Sequence, residues 1–159
     1  GDGVVLDMRH LEQGSAITEE DIKKALEKIN YTIKEGDIVL IQTGADKYYG
    51  TTKYLPAQSG LTMEATKYIL DQGVYTIGID GWGLDRPVKK MVEAYHQTGD
   101  KNELWPSHFY GRKKEYLQIE KMANLDKLPA PTGFKICCFP VKIDRGSAGW
   151  TRAVAIIED

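Results

Sequence analysis

The sequence predicts a mixed α/β domain, on three observations. Helical apolar spacing leading into a short apolar run, the mark of a helix followed by a buried strand, occurs twice between Thr18 and Ile79. A further helical pattern follows Pro87, and from Phe134 onward the pattern changes to strands. No internal repeat, low-complexity tract or polar linker interrupts the chain, so residues 1–159 read as one domain.

The elements follow in order. Val4-Val5-Leu6-Asp7-Met8 is an apolar, strand-like opening. Thr18 then precedes Glu19-Glu20-Asp21, a capping pattern in which hydroxyl and carboxylate satisfy free backbone N–H groups, and Ile22, Ala25, Leu26 and Ile29 recur at helical spacing. Lys34-Glu35-Gly36-Asp37 ends that pattern before the strand candidate Ile38-Val39-Leu40-Ile41. Thr43 to Gly60, rich in Gly, Tyr and Thr, reads as a long loop. Thr62 caps a second helix that runs to about Gln72 and stops at Gly73, and Val74 to Ile79 is the third strand. Pro87 suits the first turn of a helix with Val88, Met91, Val92 and Tyr95 on one face. Phe134–Phe139, Val141–Ile143 and Arg152–Ile157 are strand candidates, separated by Pro140 and the turn-rich stretch Asp144 to Gly149.

Composition excludes several partners. Lysine and arginine total 21 against 23 acidic residues, and a net charge of -2 gives no electrostatic reason to expect nucleic acid or an anionic membrane. No apolar run is long enough to cross a bilayer, so the expectation is a cytoplasmic protein that meets a small molecule or another copy of itself. Cys137 and Cys138 are adjacent in a predicted strand, point to opposite faces and are expected to be buried small residues. The chain opens Gly1-Asp2-Gly3 directly onto a strand, without an initiator methionine, which suggests sequence upstream.

The residues that could carry chemistry centre on His108, after a Trp-Pro turn, and Glu120, twelve residues on at the end of the apolar stretch Tyr116 to Ile119. Neutral imidazole and carboxylate are ligands for zinc, manganese or iron, and such an ion activates water near neutral pH. As a bare spacing, such a pair far more often describes surface or hydrogen-bonded structural groups. Asp80 and Asp85 flank Gly81-Trp82-Gly83-Leu84 after the third strand, where open sheets present binding loops. They could orient a ligand from behind, or simply stabilise the turn and cap the next helix. Trp82 and Trp105 could wall a pocket or anchor the core, and the same ambiguity holds for Trp150. His10 and His96 have no ligand-like neighbours in sequence. Neither a phosphate-binding glycine loop nor a G-x-S-x-G nucleophile elbow is present.

Taken together, several of these segments resemble the metal-dependent cyclase family, which includes bacterial kynurenine formamidases and isatin hydrolases. The blocks are Val5-Leu6-Asp7-Met8-Arg9, Gly36 to Gly44, Gly78-Ile79-Asp80, His108 with Glu120 to Pro129, and Arg152 to Ile156. They occur in order and span almost the whole chain. The resemblance implies a swivelling β/β/α-type fold and hydrolysis of an amide C–N bond in a small cyclic amide or aryl formamide. It implies that His108 and Glu120 are metal-site and catalytic residues with zinc or manganese as cofactor, and it suggests a homo-oligomer. Trp82 and Trp105 would line the substrate site, and Asp80 and Asp85 would support it from behind.

One departure matters. The family carries its other ligands on an H-x-G-T-H-x-D-x-P-x-H type segment upstream of the block matched by Val5 to Arg9, and this chain contains none. Where relatives often place a serine between the two aspartates, this sequence has Gly83. The expectation is therefore a single cyclase-like domain lacking its N-terminal part and inactive alone, the missing ligand segment being lost, outside this sequence or supplied by another polypeptide. The rival expectation is a noncatalytic binding or structural protein that keeps the fold without a complete metal site.

Overall fold

The structure, a computed structural model, describes residues 1–157. Its centre is a six-stranded sheet in the order β6-β5-β3-β1-β7-β8. The strands are β1 (Asp2–Asp7), β3 (Ile38–Gln42), β5 (Thr76–Ile79), β6 (Leu117–Ile119), β7 (Phe134–Cys137) and β8 (Val154–Ile156). A two-stranded parallel sheet pairs β2 (Ala16–Ile17) with β4 (Gly60–Leu61).

The neighbours β1, β3, β5 and β6 run parallel, so each connection between them must cross over a face of the sheet. Helices α1 (Glu19–Lys28) and α3 (Met63–Asp71) make the first two crossovers, and α4 (Val88–Thr98) with α5 (Pro106–Tyr110) makes the third. Strands β7 and β8 return antiparallel. This is the mixed α/β class predicted from the patterning.

Alternation along the strands divides the core. Val4 and Leu6 of β1 and Val39 and Ile41 of β3 face the helices, where they pack with Ile22, Leu26, Ile69 and Leu70. Val5 and Leu40 face the other way, against Leu125, Phe134 and Ile136. Each such side chain contributes about 1.5–3 kcal/mol on burial. That second layer also comes close at Gly78, where a Cβ would lie 2.5 Å from Met122 Sδ and 2.7 Å from Leu40 Cδ2.

The capping pattern at Thr18 forms as expected. Asp21 N–H donates to Thr18 Oγ1 at 3.2 Å, and Thr18 N–H donates back to Asp21 Oδ2 at 2.9 Å. Thr62 caps α3 by accepting from Ala65 N–H, and Gly73 takes φ 88 just beyond its end.

Five expectations change. The stretch Thr43 to Gly60 is not a bare loop, since it holds a 3-10 turn (Ala45–Tyr48), the short helix α2 (Tyr54–Ala57) and the start of β4. Its apolar content is too sparse for helical periodicity, and tertiary contacts among Ala45, Tyr54 and Ala57 order it. Only Met91 of the expected α4 face is buried, whereas Val88 and Val92 are exposed, because α4 packs chiefly on the short 3-10 turn Lys101–Glu103. The strand expected at Phe134–Phe139 ends at Cys137, before Pro140, which has no N–H to give a ladder. Val141–Ile143 is not a strand, although Val141 N–H donates to Trp150 O at 2.8 Å. Cys137 and Cys138 are half-buried and free, because β7 lies one strand from the sheet edge and β8 gives it little cover.

Candidate active site

The carboxyl ends of parallel strands are where such sheets present loops to ligands, and three strands of this chain converge there. Asp80 directly follows β5. Its buried carboxylate accepts Thr43 N–H at 2.9 and 3.0 Å, Thr43 Oγ1 at 2.6 Å and Gly44 N–H at 2.6 Å, all from the end of β3. Burial pushes the Asp80 carboxyl above its ordinary range, against the opposing pull of these donors. The side chain therefore latches the end of β3 to β5.

Asp85 does something different. It is 1% exposed, its Oδ1 accepts Ser107 N–H at 2.7 Å, and its Oδ2 is bonded to His108 Nδ1. A carboxylate can only accept, so Nδ1 carries the proton, and when the ring is neutral Nε2 holds the lone pair. The hydrogen bond to Asp85 raises the His108 pKa, with burial opposing it. His108 lies on α5, which starts at Pro106 in the first-turn position, and Trp105 ahead of it adopts a left-handed backbone at φ 48. The imidazole is 44% exposed, and its Nε2 lies 3.8 Å from Oε1 of Glu120, the residue immediately after β6.

The twelve-residue spacing thus closes in space, and Asp85 joins the pair. Gly83 adjoins all of this, since a Cβ there would lie 3.3 Å from Glu120 Oε1 and 3.9 Å from His108 Cε1. Trp82, next in the loop, donates its indole Nε1–H to Leu55 O at 3.0 Å and packs against Tyr54, with one side toward solvent. Trp105 is half-buried, and its backbone N–H meets Met91 Sδ at 3.2 Å while its carbonyl accepts Phe109 N–H at 2.9 Å.

Sequence reasoning missed Gln58, Tyr116 and Gln118. Tyr116 donates its hydroxyl to Ser107 O at 2.8 Å and accepts Gln118 Nε2–H at 2.7 Å, which ties α5 to β6. Burial pushes the Tyr116 hydroxyl pKa upward. Gln118 and Glu120 lie two residues apart, hence on one face of an extended strand, and Gln118 Oε1 is buried without a hydrogen-bond partner among the described residues. The amphipathic signal for Gln118 was available, whereas Gln58 had no local one.

The donor set suits one side of a divalent-metal site. An imidazole whose Nδ1–H is held by a carboxylate presents Nε2 in a fixed direction, an arrangement typical of metal-ligating histidine. Nε2 and Oε1 at 3.8 Å can both reach one ion, for bonds of about 2.0–2.2 Å. Among the described residues there is no cluster of three or more His, Cys, Asp or Glu that could hold a metal.

Known proteins bear on this geometry. The family model of the Cyclase family matches residues 1–86. Isatin hydrolase of Roseibium aggregatum is 28% identical over an alignment of 144 residues that covers 86% of this chain and 51% of the relative. The chain therefore spans about half the length of that curated relative. Isatin hydrolase A from Labrenzia aggregata, solved with benzyl benzoate, superposes at TM-score 0.82 with 25% identity over 100% of this chain and 61% of its own. A potential metal-dependent hydrolase with cyclase activity superposes at TM-score 0.71 with 20% identity, over 100% of this chain and 66% of its own. These superpositions assign the fold to the swivelling β/β/α type of cyclase-family hydrolases. No helix among the described residues is long and apolar enough to cross a membrane.

Proposed function

The chain belongs to the Cyclase family, and on that premise we propose that it forms the His108–Glu120 side of a metal-dependent hydrolase that cleaves an amide C–N bond in a small cyclic amide or aryl formamide. The observation that carries this reading is the Asp85–His108–Glu120 arrangement, an oriented imidazole and a carboxylate sharing one point of approach. When bound, zinc or manganese would polarise the amide carbonyl and lower the pKa of water.

The protein's own groups prepare that chemistry. Ser107 N–H holds the Asp85 carboxylate, Asp85 holds the imidazole in one tautomer, and the Nε2 lone pair is left for the ion. Glu120 offers Oε1 toward the same point, while its Oε2 lies 3.4 Å from Lys121 Nζ. Trp82 adjoins this opening and could stack on a flat substrate. Trp105 would serve by fixing the start of α5 rather than by lining the site. The remaining ligands would come from polypeptide outside this chain. Cytoplasmic location and a homo-oligomer belong to the same reading.

The absence of a three-ligand cluster among the described residues favours a second reading, a noncatalytic protein that retains the fold. Metal analysis of the full-length protein, with an amidase assay with and without chelator, separates the two. Stoichiometric metal and chelator-sensitive turnover support the hydrolase; full-length protein without bound ion or metal-dependent turnover refutes it. Glu120→Gln in the full-length protein is expected to lose metal affinity and turnover together, and wild-type values for both would remove Glu120 from the site.

A further inference from the structure

We infer that Gln58 is the positioning residue that fixes the loop Gly81–Asp85, and through it the aim of His108. Gln58 is 0% exposed and uses its whole amide on this one loop. Its Nε2 donates to Gly83 O at 2.6 Å and to Asp85 O at 2.7 Å, and its Oε1 accepts Trp82 N–H at 2.5 Å. One side chain therefore satisfies three backbone groups of a segment without regular structure. Such groups, buried and unpaired, would each carry a desolvation cost, so the loop conformation depends on this amide.

The neighbours of Gln58 extend the brace. Leu61 N–H donates to Leu84 O at 2.8 Å. A Cβ on Gly60 would lie 2.1 Å from Arg86 N and 2.2 Å from Asp85 C, and a Cβ on Gly81 would lie 2.1 Å from Gln58 Oε1. Only glycine permits this approach at either position. The braced backbone carries Asp85, whose carboxylate holds His108 Nδ1, and Gly83, whose missing Cβ leaves space beside Glu120 Oε1 and the imidazole. A shift of the loop would move the carboxylate that sets the tautomer and direction of the ring. The Gln58 amide bonds to Trp82, Gly83 and Asp85 and not to His108 or Glu120, and acts on the imidazole through Asp85.

That His108 is a ligand rests on the proposed function, whereas the brace does not, and the test keeps the two apart. In 15N-labelled protein, a His108 Nδ1–H bonded to a buried carboxylate gives a downfield proton signal. Gln58→Met, which keeps the volume and removes all three hydrogen bonds, is expected to abolish or broaden that signal. Gly81→Ala, which displaces the Gln58 amide without altering Gln58 itself, is expected to do the same and covers the case in which Gln58→Met does not fold. Leu26→Ala in α1, a core truncation that lowers the denaturation midpoint, is expected to keep the signal. An unchanged His108 signal in folded Gln58→Met or Gly81→Ala overturns the inference. So does its loss in folded Leu26→Ala, which would trace the effect to general destabilisation. Failure of the hydrolase reading would show as full-length protein without metal, and would leave these signals as they are.

Discussion

The two ends of the chain's second half handle burial in opposite ways. Around Asp85 and His108, polar groups are buried and nearly every one is paired, from the Asp85 carboxylate to the Gln58 amide and the Tyr116 hydroxyl. Beyond β7, large apolar groups lie in water: Phe139 is 81% exposed and Trp150 80%, and all three residues of β8 are exposed. A buried polar network fixes geometry, because each broken bond leaves an orphan group in a dry setting. An exposed apolar arm fixes almost nothing by itself. Precision in this molecule therefore resides at the carboxyl ends of β3, β5 and β6.

The largest effect should come from truncating a buried aromatic, with an exposed one of the arm as its counterpart. Phe134 is buried on β7 with its ring over Gly3, where a Cβ would lie 2.1 Å from Phe134 Cε2. Phe134→Ala is expected to cost about 3–5 kcal/mol in denaturant unfolding. Trp150→Ala, despite the larger side chain, should change stability by no more than about 0.5 kcal/mol. Comparable losses from both would show that the arm is packed against something in solution, and the comparison would collapse.

A smaller effect tests the polar side. Asp85→Ala leaves the buried Ser107 N–H without its acceptor, and the expected loss is about 1–3 kcal/mol. The imidazole contributes less, because its exposed half can turn to water. Wild-type unfolding free energy in this variant would mean that α5 is held by Thr66 Oγ1, 2.8 Å from Ser107 Oγ, and by Tyr116 rather than by Asp85.

How far the sequence shows these features depends on the range of the interaction that makes them. The helix at Glu19 was legible because Thr18 and Asp21 satisfy each other within one turn, and β3 because four apolar residues in a row need burial on both faces. His108 and Glu120 were legible as ligand types and from the blocks around them. The carboxylate that orients the imidazole could be named among candidates, but two aspartates five residues apart look alike in sequence. Only the fold separates Asp80, latched to Thr43, from Asp85, bonded to His108. Gln58 was invisible, because its partners lie twenty-four to twenty-seven residues away and its neighbours read as loop. The arm was misread for the opposite reason: Val141–Ile143 has strand composition but no partner strand among the described residues.

The smallest effect concerns a polar contact that is neither buried nor bare. At the end of β1, Arg9 donates Nε–H to Asp7 Oδ1 and Nη2–H to Oδ2, both at 2.8 Å, and its backbone N–H adds a third bond at 3.0 Å. The Arg9 side chain holds the Asp7 carboxyl down at about 2, from an ordinary 3.8. A depressed acid stabilises the fold above its unfolded pKa, and that contribution drains away as pH falls from about 3.8 through about 2. With the two side chains 37% and 41% exposed, solvent screening keeps it below about 1 kcal/mol. Asp7→Asn should therefore unfold slightly more easily than the wild type at pH 7, and the two denaturation midpoints should converge as pH approaches 2. A gap that stays constant over that range would assign the effect to shape and hydrogen bonding rather than to charge, and would place Asp7 with the paired groups of the site rather than between the two regions.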